Sequence, residues 1–188
     1  MTTLRPLRHV GFQRLAISYT LNELGWGFGT VALGLLVFDE THSALATTGL
    51  WLCTLMVPAL IGPAATAKLD MVATRRVLPA LYVAEAAIFA SLALLTTAEP
   101  SLVLLLTLAA IDGTLALVGR ALTRAAVAAT LKPLGELEPG NALLNVSFSL
   151  CFAIGPALGG LVVGAYGVSA ALWISAAFDW KFPQLEKL

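Results

Sequence analysis

Charged side chains are scarce in this chain. Asp, Glu, Lys and Arg make up only 12% of its 188 residues, whereas soluble domains usually carry about 25%. Hydrophobic residues account for 59%, and the mean hydropathy is +0.88. The formal net charge is zero, which argues against a nucleic-acid partner because phosphate backbones are bound by an excess of Lys and Arg. This composition is typical of a protein embedded in a lipid bilayer.

Histidine and cysteine are also rare, with two residues of each. His9 and His42 lie outside the apolar segments, so a Ser–His pair or a metal cluster at membrane depth is not expected. Cys53 and Cys151 fall inside apolar segments, where we expect small apolar groups rather than a disulfide. The sequence therefore predicts no catalytic residues, no metal site, no cofactor and no enzymatic activity.

Apolar segments cover most of the chain. They comprise residues 15–38, 44–67, 77–97, 102–118, 142–165 and 168–178. A helix needs about 20 residues to cross a hydrocarbon layer of about 30 Å. The first five segments meet or approach that length, and the last is short. We expect an all-α membrane protein with six transmembrane helices and a short sixth helix. The other predicted parts are a cytoplasmic segment 1–14, a cytoplasmic connection 119–141 and a polar tail 179–188, where we expect the chain to be truncated.

The basic residues fall only in alternate gaps between these segments. The gaps contain Arg5, Arg8 and Arg14; Lys68, Arg75 and Arg76; Arg120, Arg124 and Lys132; and Lys181 and Lys187. Lys and Arg in short loops are held on the cytoplasmic side of a membrane. The alternation predicts a multi-pass protein of the cell inner membrane whose N-terminus is cytoplasmic.

Acidic residues occur within three of the segments, as Glu23, Glu85 and Asp112. An ionised group at the bilayer centre costs about 2.5–3.5 kcal/mol on insertion scales, so we expect these groups to face the bundle interior or a cavity, or to stay protonated. We expect no Lys, Arg or His at their depth. Trp26 and Thr30 share the helical face of Glu23, and the five residues together form a candidate substrate and proton site. The alternative is that the acids only hold the helices together through hydrogen bonds.

Three motifs resemble those of a known family. Residues 62–78 resemble the loop motif between the second and third helices of the major facilitator superfamily, and residues 24–39 resemble the first helix of its bacterial drug and siderophore efflux branch. Residues 141–160 are similar to the fifth-helix motif of its exporters. The resemblance assigns a gating loop to Asp70, Arg75 and Arg76. It assigns the helix-5 motif to Gly155, Pro156, Gly159 and Gly160.

The resemblance implies proton-coupled efflux of a small amphipathic molecule. The chain would supply the N-terminal half of a twelve-helix transporter, with a C-terminal half or a homodimer partner completing the cavity. Its helices would form two inverted three-helix repeats, an arrangement also suggested by Ile-Gly-Pro-Ala at residues 61–64 and again at 154–157. The alternative is a truncated, non-transporting remnant, or a six-helix membrane protein whose glycine faces serve oligomerisation.

Overall fold

The computed structural model describes residues 4–69, 74–98 and 101–180. A 3-10 turn at Arg5–Arg8 precedes α1 (Val10–Thr41), α2 (Ala44–Leu69), α3 (Thr74–Leu95), α4 (Leu102–Leu131), α5 (Leu137–Tyr166) and α6 (Val168–Trp180). No strand occurs in these ranges. Helices α1 to α5 are long and apolar enough to cross a membrane. The prediction of an all-α, membrane-compatible fold with six helices is confirmed.

Helix α6 is short, as the sequence predicted. Its 13 residues extend about 20 Å at 1.5 Å per residue, less than the thickness of a hydrocarbon layer. The chain turns from α5 into α6 at Gly167, whose backbone has φ 84° and ψ 169°. Only glycine occupies that region without strain, so a single residue suffices to reverse the chain.

Helix α4 is longer than predicted, so most of the predicted connection 119–141 is helical rather than a loop, while its cytoplasmic location stays a prediction. The helix continues through Gly119 and Arg120 to Leu131, and a 3-10 turn at Lys132–Leu134 leads into α5. The segment after Arg120 is rich in alanine, the best helix former, and its first proline is Pro133. Arg120 therefore lies inside a helix rather than in a loop.

Helix α1 lies at the centre of the bundle. It packs against α2, α4, α5 and α6, whereas α3 packs mainly on α6 and α4. The approach of α5 to α1 is closest at glycine, where a Cβ on Gly155 would stand 3.2 Å from the Gly27 Cα. Among the described residues, the first helix carries more buried polar side chains than any other helix: Ser18, Asn22, Glu23 and Thr30.

The buried side chains form layers along the helix axes. One apolar cluster fills the end of the bundle that contains the C-terminal half of α1, the N-terminal part of α4 and most of α6. Two smaller apolar clusters fill the opposite end, one around Phe12 and Leu131 and the other around Tyr82 and Leu122. The polar residues described next lie between these apolar ends.

Candidate functional site

An acidic layer lies in the middle of the bundle. It consists of four carboxyl side chains, each from a different helix and each at most 5% exposed: Glu23, Glu85, Asp112 and Asp179. On α1, α3 and α4 the acidic residue is flanked on both sides by residues of the apolar clusters. The predicted grouping of Glu23, Glu85 and Asp112 in the bundle interior matches this arrangement, and Asp179 joins them.

Glu23 forms an ion pair with Arg120. The Nε and Nη2 of Arg120 donate to the two carboxylate oxygens of Glu23 at 2.6 and 2.8 Å. The expectation that no basic residue lies at this depth is therefore wrong. It failed because α4 extends through Arg120, which places the guanidinium within the bundle rather than at its rim. Bidentate pairs of this kind are among the strongest hydrogen-bonded contacts in proteins.

Aromatic rings enclose the same guanidinium. Its Cζ lies 4.7 Å from the centroid of the Trp26 ring and 5.6 Å from that of Phe148 on α5. The Arg120 side chain is 21% exposed, whereas that of Glu23 is 2% exposed. Trp26 thus lies beside the Arg120–Glu23 pair, as a ring contact of Arg120. Its buried Nε1 has no hydrogen-bond partner among the described residues.

Asn22 bridges two other carboxyl groups. Its Nδ2 donates to Glu85 Oε2 at 2.6 Å and to Asp179 Oδ1 at 2.9 Å. Asp179 was predicted to belong to a polar tail, but it lies in the last turn of α6 and is 1% exposed. It is buried because α6 packs against α1 and α3, which directs this last-turn side chain into the bundle.

Asp112 lies on the other side of the layer, near Thr30. Both residues line a cavity of about 10 Å³ between α1, α2, α3 and α4, which is about the smallest volume that holds one water molecule. Thr30 donates its hydroxyl to the carbonyl of Trp26, and Asp112 Oδ1 has no partner among the described residues. The predicted face of α1 therefore borders two environments. Glu23 and Trp26 contact Arg120, whereas Thr30 lines the small cavity with Asp112.

The charges of the layer do not balance. Glu85, Asp112 and Asp179 have no ion pair among the described residues, since the guanidinium of Arg120 is bound to Glu23. Each also has one buried oxygen without a hydrogen-bond partner in the described ranges. Burying an ionised carboxylate without compensation is very costly, so such groups are neutralised by binding protons or a cation. Within those ranges no group of three or more His, Cys, Asp and Glu residues is arranged to hold a metal ion.

Of the three predicted gating-loop residues, only Arg76 has a described side chain, and it is distant from the acidic layer. Asp70 lies outside the described residues, and the side chain of Arg75 is likewise not described. Arg76 lies in the first turn of α3 and is exposed. Its position at the end of a helix is consistent with a place at the membrane surface.

Three residues of the helix-5 motif contact α1, and the fourth does not. Gly155 and Gly159 are buried against α1, where a Cβ on Gly159 would stand 3.0 Å from the Phe28 Cα. Pro156 also borders this contact, next to Gly27. Gly160 faces open space. The motif therefore supplies a helix-packing face on α1, and Gly160 is outside that face.

A larger groove lies away from the acidic layer. It has a volume of about 510 Å³ and runs between α2 and α4, lined by apolar residues that include Val57, Ile61, Leu106 and Ile111. None of the acidic residues lines this groove. The groove and the acidic layer are thus separate features of the bundle.

Sequence reasoning did not single out three residues of the layer: Asn22, Arg120 and Asp179. Asn22 directly precedes Glu23 in an apolar segment, which is itself a signal for a buried polar contact. After Arg120 the chain contains no glycine or proline before Pro133, so a helix can continue through it. Asp179 stands four residues after Ser175, so both share the inward face of α6. Each signal was present, but Arg120 and Asp179 stood at the edges of apolar runs and resembled boundaries.

Comparisons with known proteins do not assign the chain to a group. No family model, curated protein or solved structure matches it. The functional conclusion therefore depends on the geometry of the acidic layer and on the resemblance of the sequence motifs.

Proposed function

We propose that this chain is a membrane transport protein that couples the efflux of a small amphipathic molecule to the movement of protons. The observation that carries the proposal is the acidic layer: Glu85, Asp112 and Asp179 are buried without an ion pair in the described ranges. Ionisable groups within membrane-spanning helices are costly and are typical of proton relays and ion pathways. A bundle that only anchors a protein in lipid has no need of them.

The Arg120–Glu23 pair is the proposed substrate-facing part of the layer. Arg120 is partly exposed and contacts the rings of Trp26 and Phe148. A partly exposed guanidinium in the middle of a membrane-spanning bundle requires water or protein beside it rather than lipid. We therefore propose that this side of the bundle, between α1, α4 and α5, faces a transport cavity completed by a second half or a second copy of the chain.

The proposed orientation has the N-terminus in the cytoplasm of a cell with an inner membrane. It is supported by the alternation of basic residues, although Arg120 no longer counts toward it because it is paired inside the bundle. Arg124 and Lys132 still lie toward the α4–α5 end, the same side as Arg5 and Arg8. The inverted three-helix repeat stays a prediction and is part of the proposed transporter architecture.

The proposal is tested with the purified chain in liposomes whose interior is more acidic than the outside. Ethidium and rhodamine 6G, both cationic and amphipathic, are added outside, and their accumulation is followed by fluorescence with and without a protonophore. We expect gradient-dependent accumulation of at least one dye. Asp112→Asn should abolish it, because the amide keeps the side-chain shape but cannot exchange a proton.

Glu138→Gln is the matched control, because Glu138 is exposed in the first turn of α5, far from the acidic layer. It should accumulate the dyes like the unmodified chain. A helical, monodisperse protein that accumulates neither dye would overturn the proposal and favour the non-transporting membrane protein instead. Equal accumulation by Asp112→Asn and the unmodified chain would also count against a role for the acidic layer.

A further inference from the structure

The contact of Asn22 with two carboxyl groups is distinct from the Arg120–Glu23 pair. An amide nitrogen has two N–H donors, and Asn22 directs one to Glu85 and the other to Asp179. Each carboxyl therefore receives one hydrogen bond from a neutral group and no positive charge from it. The remaining oxygens, Glu85 Oε1 and Asp179 Oδ2, are buried without a partner among the described residues.

Both carboxyl groups are enclosed by protein. Glu85 and Asp179 are each 1% exposed, and Asn22 is 5% exposed. Gly25 allows this enclosure, since a Cβ there would stand 3.3 Å from Asp179 Oδ1 and 3.1 Å from the Phe178 Cβ. Two ionised carboxylates could not share such a site, because like charges in an apolar medium repel strongly and neither would be solvated.

From this geometry we propose that Glu85 and Asp179, bridged by Asn22, form a proton-binding site that holds an exchangeable proton between them. The proton binds one of the two oxygens that Asn22 does not contact, Glu85 Oε1 or Asp179 Oδ2, and so neutralises one of the two carboxyl groups. This inference rests on the proposed function for its biological meaning and deepens it. It assigns proton binding to α3 and α6 rather than to Glu23, which is occupied by Arg120.

Other charged groups act on this site from the neighbouring helices. Asp112 and Arg120 on α4 and Glu23 on α1 are close enough to interact with the pair electrostatically. Tyr82, one turn before Glu85 on α3, is also within electrostatic range. Proton release from the pair therefore depends on the charge of Asp112 and on the integrity of the Arg120–Glu23 pair.

Infrared difference spectroscopy of the full chain in liposomes, recorded between alkaline and acidic pH, tests this assignment. A protonated buried carboxyl gives a C=O stretching band that is separate from the amide bands and shifts in D₂O. We expect a band from the pair that is present in the unmodified chain and in Asp112→Asn, which removes the other unpaired buried carboxyl, and that is lost in both Glu85→Gln and Asp179→Asn. Asn22→Ala should shift its frequency, because the carboxyl oxygens lose the bridging donor. A purely structural role would not produce a band that changes with pH.

Glu138→Gln is the matched control, and the band should persist in it because Glu138 is exposed in the first turn of α5, far from the pair. The amide variants keep the shape of the acids, and circular dichroism verifies their fold; if one variant fails to fold, the other still reports. The absence of a pH-dependent carboxyl band in the folded chain would overturn the inference, as would its persistence in both amide variants. If the band behaves as expected but neither dye accumulates in the liposomes, the proposed transport function fails and the proton site stands.

Discussion

Removing the negative charge of Glu23 tests the central ion pair of the bundle. Glu23→Gln keeps the shape of the side chain but leaves Arg120 without its counter-charge, and two hydrogen bonds of 2.6 and 2.8 Å lose their ionic acceptor. The guanidinium cannot neutralise itself by losing a proton. It retains its contacts with the rings of Trp26 and Phe148.

The expected loss of stability follows from the burial of the pair. Removing one partner of a buried ion pair costs about 3–5 kcal/mol. Arg120 is 21% exposed, and a cation over an aromatic ring retains about 0.5–2 kcal/mol. The loss should therefore lie near the lower limit, at about 3 kcal/mol in the free energy of unfolding.

Removing the other partner of the pair, by Arg120→Met, should cost less stability. Glu23 can then bind a proton and become neutral, which the guanidinium cannot do. The double variant should lose less stability than the sum of the single variants, with a coupling free energy of about 2 kcal/mol. Unfolding in mixed micelles with increasing SDS, followed by circular dichroism, measures all four proteins. Unchanged stability in Glu23→Gln, or a coupling near zero, would refute the assigned pair.

Four further substitutions test the packing and the helix ends by the same unfolding measurement. Gly155→Ala should lower the free energy of unfolding by about 1–3 kcal/mol, because its methyl group would meet the backbone of Gly27. Gly160 faces open space, so Gly160→Ala should cause no loss of stability. Equal effects of the two substitutions would contradict the assigned α1–α5 contact. His42→Gly should stabilise the chain by about 1 kcal/mol, since His42 ends α1 in the left-handed region at φ 47°, and a loss would contradict that backbone conformation. Ser101→Ala should cost about 1 kcal/mol by removing the side-chain cap of α4, and no change would indicate that the cap does not form.

Much of the fold could be predicted from the sequence because apolar runs report helices in a membrane directly. The lengths of the first five runs and the shortness of the last required no knowledge of packing. The depths of Glu23, Glu85 and Asp112 also followed from counting residues along each helix. Depth alone was sufficient to expect that they would lie in one layer.

The partners within the layer could not be predicted in the same way. Pairing Glu23 with Arg120 requires the rotation of α1 relative to α4 and the true end of α4, and a lone arginine after an apolar run looks like the start of a loop. Asp179 raised the same difficulty at the end of α6. Both residues became part of the site because a helix continued past the last apolar residue, which hydropathy does not report.

Proton uptake by the purified chain tests the account most directly. The number of protons bound when the pH of a lightly buffered sample falls from alkaline to mildly acidic values is compared between the unmodified chain and the triple variant Glu85→Gln, Asp112→Asn and Asp179→Asn. The acidic layer predicts fewer protons bound by the triple variant, with the helical content of both proteins unchanged. Equal uptake by two equally folded proteins would contradict the claim that these carboxyl groups bind and release protons.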